Sequence, residues 1–168
     1  EQLGPPTEWL PSYKRYISNE IPRLVLIPTW ACELRCRYCY IPKQSGREMP
    51  LATMKQAVDF LMSSERSEVM LQFFGGEALI EADNVFAAMD YALAQSQLLN
   101  KSISFVLSSN GWTLTPERLT RLSKYPLKLE LSLDGDATTQ NAQRRALQKG
   151  ADSYENSIAP RVQALLDS

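Results

Sequence analysis

The sequence predicts an α/β fold in which parallel strands alternate with helices. Short apolar runs of strand length recur along the chain, segments with helical spacing of apolar residues separate them, and Gly, Pro and Asn bound both. Strands joined through helices in this order are parallel and connected by right-handed crossovers. At 168 residues, the chain is long enough for one such core and short for two.

Four strands are predicted, over residues 24–27, 69–74, 103–107 and 127–133. The last one alternates four leucines with Lys128, Glu130, Ser132 and Asp134, so its two faces differ chemically. In a βα barrel the leucine face meets the helix layer and the polar face points inward, with Ser132 and Asp134 nearest the pocket. The alternative is an exposed edge strand whose polar face lies in water.

Helices are expected between and after these strands. A helix from residue 49 carries Met54, Val58 and Leu61 on one face. Asp83 or Asn84 is expected to cap a second helix, and Thr115 followed by Pro116 starts a third. Residues 154–166 form a last helix, whereas residues 1–22, rich in Pro and aromatic residues, form an extended lead-in before a core at 23–168.

Composition excludes several classes of function. Lys plus Arg is 18 and Asp plus Glu is 19, so a net charge of −1 gives no bulk attraction to nucleic acid. No run of about 18 apolar residues could span a membrane. Histidine is absent, which removes Ser-His and Cys-His nucleophile pairs and His-ligated metals. We see no secretory signal and no dispersed cysteines for disulfides, so a cytoplasmic location is expected.

All three cysteines, Cys32, Cys36 and Cys39, lie in one eight-residue window after the first strand. Structural zinc takes four protein ligands, and an iron–sulfur cubane usually takes four thiolates. Three cysteines alone would leave one iron open to an outside ligand. Zinc with a carboxylate as fourth ligand, a chance disulfide and plain buried thiols remain alternatives.

The other unusual motifs also follow predicted strands. They are Gly-Gly-Glu at 75–77, Ser-Asn-Gly at 109–111 and Ser-Leu-Asp-Gly at 132–135. Because ligands of parallel α/β folds bind at the carboxyl ends of the strands, we expect these loops and the cysteine loop to surround one pocket.

The spacing CxxxCxxC, with Tyr38 before the last cysteine and Tyr40 after it, resembles the radical S-adenosylmethionine (radical SAM) superfamily. The resemblance implies a partial (βα) barrel, with about four βα units present and the chain ending before the last ones. It also implies a [4Fe-4S] cluster held by Cys32, Cys36 and Cys39. The open iron would chelate S-adenosyl-L-methionine, which is cleaved reductively to a 5′-deoxyadenosyl radical.

The same resemblance implies contacts with S-adenosylmethionine. Gly75, Gly76 and Glu77 match the family's GGE turn, which meets the methionine amino group. Arg144 is a candidate for the methionine carboxylate, and a solvated arginine is the alternative. The implied cofactor-binding residues are Tyr38 at the adenine, and Ser109, Asn110, Ser132 and Asp134 near the ribose or carboxylate. Glu33, Ala78, Ser109 and Gln140 depart from the family's usual Asn, Pro, Thr and His.

Downstream, Gln140-Asn141-x-x-Arg144 and Gly150-x-x-Ser153-Tyr154 resemble stretches of sulfatase-maturase-like, SPASM-type peptide-modifying enzymes. This implies a peptide or protein substrate and an external electron donor such as a flavodoxin or ferredoxin. A small-molecule substrate and a non-catalytic iron–sulfur fragment are the alternatives. No catalytic acid or base can be named from the sequence.

Overall fold

A computed structural model describes residues 20–41 and 47–166. Its strands are β1 (Arg23–Leu26), β2 (Leu34–Cys36), β3 (Glu68–Phe73), β4 (Ser102–Ser109), β5 (Leu127–Leu131) and β6 (Arg144–Ala146). Its α-helices are α1 (Leu51–Met62), α2 (Ala82–Leu98), α3 (Pro116–Leu122), α4 (Ala137–Gln143) and α5 (Ala159–Leu166). A 3₁₀-helix covers Ala78–Glu81, and a π-helical segment covers Tyr154–Ile158. The predicted lead-in lies almost wholly outside the described residues.

Four strands form one parallel sheet in the order β1-β3-β4-β5. Helices α1, α2 and α3 make the crossovers, as the alternation of strands and helices predicts. Since all four strands run in the same direction, their carboxyl ends meet at one edge of the sheet. The predicted α/β class and its four parallel strands are therefore confirmed.

The core lies between the sheet and helices α1 and α2. Met54, Val58 and Leu61 of α1 are fully buried there, together with Leu71 and Phe73 of β3. The leucines of β5 at 127, 129 and 131 pack against the same cluster, so this face meets the helices as predicted. The expectation that the strand reaches residue 133 is wrong. The chain leaves the sheet after residue 131, and Leu133 is exposed.

The other face of β5 carries charged groups. Lys128 Nζ lies 2.9 Å from Glu130 Oε1, and the Ser108 hydroxyl donates to Glu130 Oε2 at 3.1 Å. Within the described sheet β5 is an edge strand, and Lys128 is exposed. Lys128 and Glu130 thus occupy the non-helical face as predicted, and they pair with each other at an exposed edge of the described sheet, as in the edge-strand alternative.

Two helix starts test the capping predictions. The Thr115 side chain accepts from the Arg118 backbone N–H, and Pro116 is the first helical residue, so α3 begins as predicted. The cap predicted at Asp83 or Asn84 is wrong, because α2 already begins at Ala82. The reason is Glu77, whose carboxylate accepts from the Leu79 backbone N–H and starts a 3₁₀ turn that leads directly into α2.

A two-stranded antiparallel ribbon of β2 and β6 was not predicted. It pairs Leu34 with Ala146 and Cys36 with Arg144, and so ties the cysteine loop to a distant part of the chain. Strands of three residues are too short to show an alternating pattern.

Throughout the described ranges, no helix has the length and apolarity needed to cross a bilayer.

Candidate functional site

A cavity of about 270 Å³ opens at the carboxyl edge of the parallel sheet. Ten of the twelve residues that the sequence analysis singled out line it: Cys32, Cys36, Cys39, Tyr38, Gly75, Gly76, Ser109, Asn110, Ser132 and Arg144. Apolar side chains, among them Trp30, Leu34 and Phe74, complete the wall. The loops after β1, β3, β4 and β5 therefore meet over one space, and Glu77 and Asp134 stand behind its surface.

The three thiols face this cavity as free cysteines. Cys32 and Cys36 are partly buried, and Cys39 is exposed. Burial raises the pKa of Cys32 to about 11 and also raises the pKa of Cys36. Among the described residues, no three Cys, His, Asp or Glu side chains are already gathered as a metal-binding group. The donor set, three cysteines that line one cavity, nevertheless suits a thiophilic metal group that displaces their protons on binding.

The Gly-Gly turn is packed against the backbone that leads to Cys32. A Cβ on Gly76 would lie 2.1 Å from the Ala31 carbonyl oxygen. The Gly76 N–H donates to the Thr29 carbonyl at 3.0 Å, and the next N–H, of Glu77, donates to the Ala31 carbonyl at 2.8 Å. These glycines are therefore required by the close approach of the cysteine loop, independently of any ligand.

Glu77 is fully buried and links two strand ends. Its Oε1 accepts from the Ser109 hydroxyl at 3.0 Å and from the Leu79 N–H, and its Oε2 accepts from the Asn110 N–H at 2.7 Å. Burial raises the pKa of this carboxyl to about 7. The structure thus commits both oxygens to the chain and leaves Glu77 behind the cavity wall. Its contact with the methionine amino group stays a prediction.

Asn110 joins the end of β4 to the cysteine loop. Its Oδ1 accepts from the Trp112 N–H at 2.7 Å, and its Nδ2 lies 3.5 Å from Cys32 Sγ and 3.3 Å from Glu33 Oε2. The other oxygen of Glu33 is buried with no hydrogen-bond partner in the part of the chain that the structure describes. Burial accordingly raises the pKa of Glu33.

Asp134 holds two cavity residues from behind. Its carboxylate accepts from the Tyr38 hydroxyl at 2.6 Å and from Arg144 Nε at 2.8 Å. Burial opposes ionisation, but these bonds prevail and lower the pKa of Asp134. Burial and the bond to Asp134 raise the pKa of Tyr38. The predicted candidates Tyr38, Asp134 and Arg144 therefore act as one bonded group.

Gln140 and Asn141 belong to a sequence motif that predicts no contact for either residue. Gln140 is fully buried, and its side chain accepts from the Asp134 N–H at 2.8 Å and lies 3.5 Å from the Ser132 carbonyl. Asn141 Oδ1 accepts from the Ser153 hydroxyl and the Tyr154 N–H. Together these amides fix the loop after β5 and the start of the final helical segment, bonds that no local pattern specifies.

The family model described as the radical SAM superfamily matches residues 26–159. The chain belongs to this superfamily. Radical SAM proteins use a [4Fe-4S] cluster and S-adenosylmethionine. The four-stranded parallel sheet corresponds to part of the radical SAM barrel.

Curated relatives of this chain include one named as a radical SAM enzyme. An uncharacterized protein of Methanocaldococcus jannaschii is 27% identical over 112 residues, which is 67% of this chain and 38% of that protein. The radical SAM cyclopropyl synthase TigE of Paramaledivibacter caminithermalis is 24% identical over 157 residues, covering 83% of this chain and 32% of TigE. The chain thus spans less than half the length of these relatives.

Solved structures share the fold. The structure of anSMEcpe with bound AdoMet has a TM-score of 0.74 at 22% identity, covering 87% of this chain and 41% of that chain. Streptococcus suis SuiB bound to precursor peptide SuiA has a TM-score of 0.60 at 19% identity, with 80% and 29% covered.

Proposed function

We propose that this protein cleaves S-adenosylmethionine reductively and uses the resulting 5′-deoxyadenosyl radical to abstract hydrogen from a peptide or protein substrate. The observation that carries the proposal is the common cavity, where the three cysteines face Gly75, Gly76, Ser109, Ser132 and Arg144. Radical SAM membership supports an enzyme, because this chemistry is general to the family.

Cys32, Cys36 and Cys39 are the residues proposed to hold the [4Fe-4S] cluster. When bound, that cluster supplies the electron that breaks the sulfonium bond of S-adenosylmethionine. The thiols must give up their protons for this, against burial that raises the pKa of Cys32 and Cys36. Trp30 and Phe74 make part of the wall apolar, which keeps water away from a reactive radical.

S-adenosylmethionine is proposed to lie across the strand ends. Arg144 offers a guanidinium already oriented by Asp134, which suits the methionine carboxylate. Tyr38 is proposed to lie near the adenine, and Ser109, Asn110 and Ser132 are wall residues for the ribose and amino acid part. Gly75 and Gly76 present backbone to the cavity, and Glu77 acts from behind by holding the Ser109–Asn110 loop.

A peptide substrate is favoured by the kinds of protein that share the fold. Structures of anSMEcpe include bound Kp18Cys and Cp18Cys peptides, and SuiB is bound to its precursor peptide. The electron is proposed to come from an external carrier such as a flavodoxin or ferredoxin, and free thiols fit a reducing cytoplasm.

Anaerobic reconstitution tests the radical chemistry. The protein is loaded with iron and sulfide, reduced with dithionite and mixed with S-adenosylmethionine, and 5′-deoxyadenosine is quantified by chromatography. We expect product from the parent chain and from Lys124→Ala, an exposed control beyond α3, but none from Cys36→Ser. Product from Cys36→Ser equal to the parent would contradict the ligand assignment.

Deuterium transfer separates the possible substrates. Label passing into 5′-deoxyadenosine from a deuterated peptide encoded beside the gene supports a peptide maturase. Label passing only from deuterated cell metabolites would favour the small-molecule alternative.

A further inference from the structure

We propose that Asn110 is a positioning residue for the cluster: its side-chain amide donates to the Cys32 sulfur and raises the reduction potential of the cluster. The inference rests on the proposed function, in which Cys32 is a cluster ligand. It adds a role to a residue that is also proposed to line the wall for S-adenosylmethionine.

The orientation of the Asn110 amide is fixed by the chain. The Trp112 N–H donates to Oδ1 at 2.7 Å, so the oxygen end must face Trp112 and the NH₂ end must face the cysteine loop. The Asn110 backbone N–H is held by Glu77 Oε2 at 2.7 Å. Asn110 is 6% exposed, so water does not compete freely for its donors. The side chain is therefore preorganised toward Cys32.

Two acceptors share the Asn110 NH₂ group. Nδ2 lies 3.5 Å from Cys32 Sγ and 3.3 Å from Glu33 Oε2. The Cys32 sulfur also receives the Leu34 backbone N–H at 3.4 Å, a bond that belongs to the loop itself. Asn110 reaches Cys32 from 78 residues away in sequence, and its amide is the donor that a side-chain substitution can remove.

The charges near Cys32 give this donor its role. Glu33 directly follows Cys32 in the chain, and its Oε2 shares the Asn110 amide with the Cys32 sulfur. Reduction adds one electron to the cluster, so nearby carboxylates lower its potential and donated N–H groups raise it. Asn110 therefore offsets the Glu33 carboxylate at Cys32.

A redox titration followed by electron paramagnetic resonance tests the effect of Asn110 on the reduction potential of the cluster. At one fixed potential near the parent's midpoint, we expect Asn110→Ala to lower the ratio of reduced to oxidised cluster about tenfold, which corresponds to roughly 59 mV for one electron. Asn110→Asp should lower the ratio further, because it adds a negative charge. Glu33→Gln should raise the ratio, because it removes one.

Asn84→Asp is the matched control. Asn84 Nδ2 donates to Glu81 Oε2 at 3.2 Å, the same amide-to-carboxylate contact, but on α2 and away from the cysteines. The ratio of reduced to oxidised cluster in Asn84→Asp should equal the parent's. Iron content and the urea midpoint of each variant are measured alongside, since a purely structural role for Asn110 would change these and leave the ratio alone.

The outcomes distinguish a failure of the proposed function from a failure of this inference. A parent chain that assembles no [4Fe-4S] cluster contradicts the proposed function and this inference with it. If the parent assembles the cluster, two results overturn this inference alone. In the first, the ratio of reduced to oxidised cluster in Asn110→Ala and Glu33→Gln stays within twofold of the parent's. In the second, both variants shift the ratio in the same direction. If Asn110→Ala binds no iron, Asn110→Asp takes its place, and a ratio within twofold of the parent's in that variant overturns this inference.

Discussion

Arg144 Nε lies 2.8 Å from Asp134 Oδ1, in an ion pair whose side chains are only 15% and 18% exposed. The second oxygen of Asp134 accepts from Tyr38, between Cys36 and Cys39. Arg144 itself begins β6, whose pairing partner is the strand containing Cys36. One carboxylate therefore joins the end of β5, the cysteine loop and the ribbon that braces it.

Removing this carboxylate should destabilise the fold. We expect Asp134→Ala to lower the free energy of unfolding by about 1.5 to 3 kcal/mol, because two donors lose a charged acceptor. Tyr38→Phe removes one bond and should cost about 1 kcal/mol. Urea unfolding at neutral pH measures both, and equal effects of the two variants would contradict the central place of Asp134.

The same ion pair predicts that the free energy of unfolding depends on pH in acid solution. The folded pKa of Asp134 is lowered from its ordinary 3.8, so the stabilisation is present above that pH and is lost as the pH falls through the folded value. The gap in unfolding free energy between the parent and Asp134→Ala should therefore shrink as the solution is acidified below pH 3.8. A constant gap would show that the carboxylate is not stabilised by its partners.

Glu77 predicts the opposite dependence of the free energy of unfolding on pH. Its folded pKa of about 7 lies above the ordinary 4.5, so the folded protein binds more protons between these values and loses stability as the pH rises through them. The loss is on the order of 3 kcal/mol. Glu77→Gln cannot ionise, so relative to the parent it should gain stability from pH 4.5 to 7. Parallel curves of unfolding free energy against pH would refute this.

Two glycines form a matched pair of substitutions. In Gly76→Ala the new Cβ would lie 2.1 Å from the Ala31 oxygen, so the backbone before Cys32 must move, at a cost of roughly 3 kcal/mol or more. Gly150→Ala meets no atom within 4 Å and carries only the strain of φ +79°, about 1 to 2 kcal/mol. We expect bound iron to fall in Gly76→Ala and to stay at the parent's level in Gly150→Ala. Equal iron contents would contradict the contact.

Local patterns explain how much of this fold the sequence predicts. Runs such as 69–74 and 103–107 are apolar enough to identify buried strands, and the thiols at 32, 36 and 39 are adjacent in the chain. The inward orientation of Glu77 depends on donors 32 or more residues away. The burial of Gln140 depends on a tight loop that brings its side chain to the Asp134 N–H. Periodicity carries no information about such polar contacts.

The ribbon of β2 and β6 shows the same limit. Cys36 and Arg144 are paired across more than a hundred residues, and neither three-residue strand has an alternation to detect. Arg144 was therefore predicted through a motif resemblance, whereas its bond to Asp134 became visible only in the fold.

Mössbauer and electron paramagnetic resonance spectra of the anaerobically reconstituted protein, with and without S-adenosylmethionine, test the central claim most directly. The account predicts four irons per chain in one cubane, with one iron distinct from the other three, and a change in the spectrum of the reduced cluster when S-adenosylmethionine is added. Full occupancy by tetrahedral zinc with no iron uptake, or a cluster whose spectrum ignores S-adenosylmethionine, would contradict it.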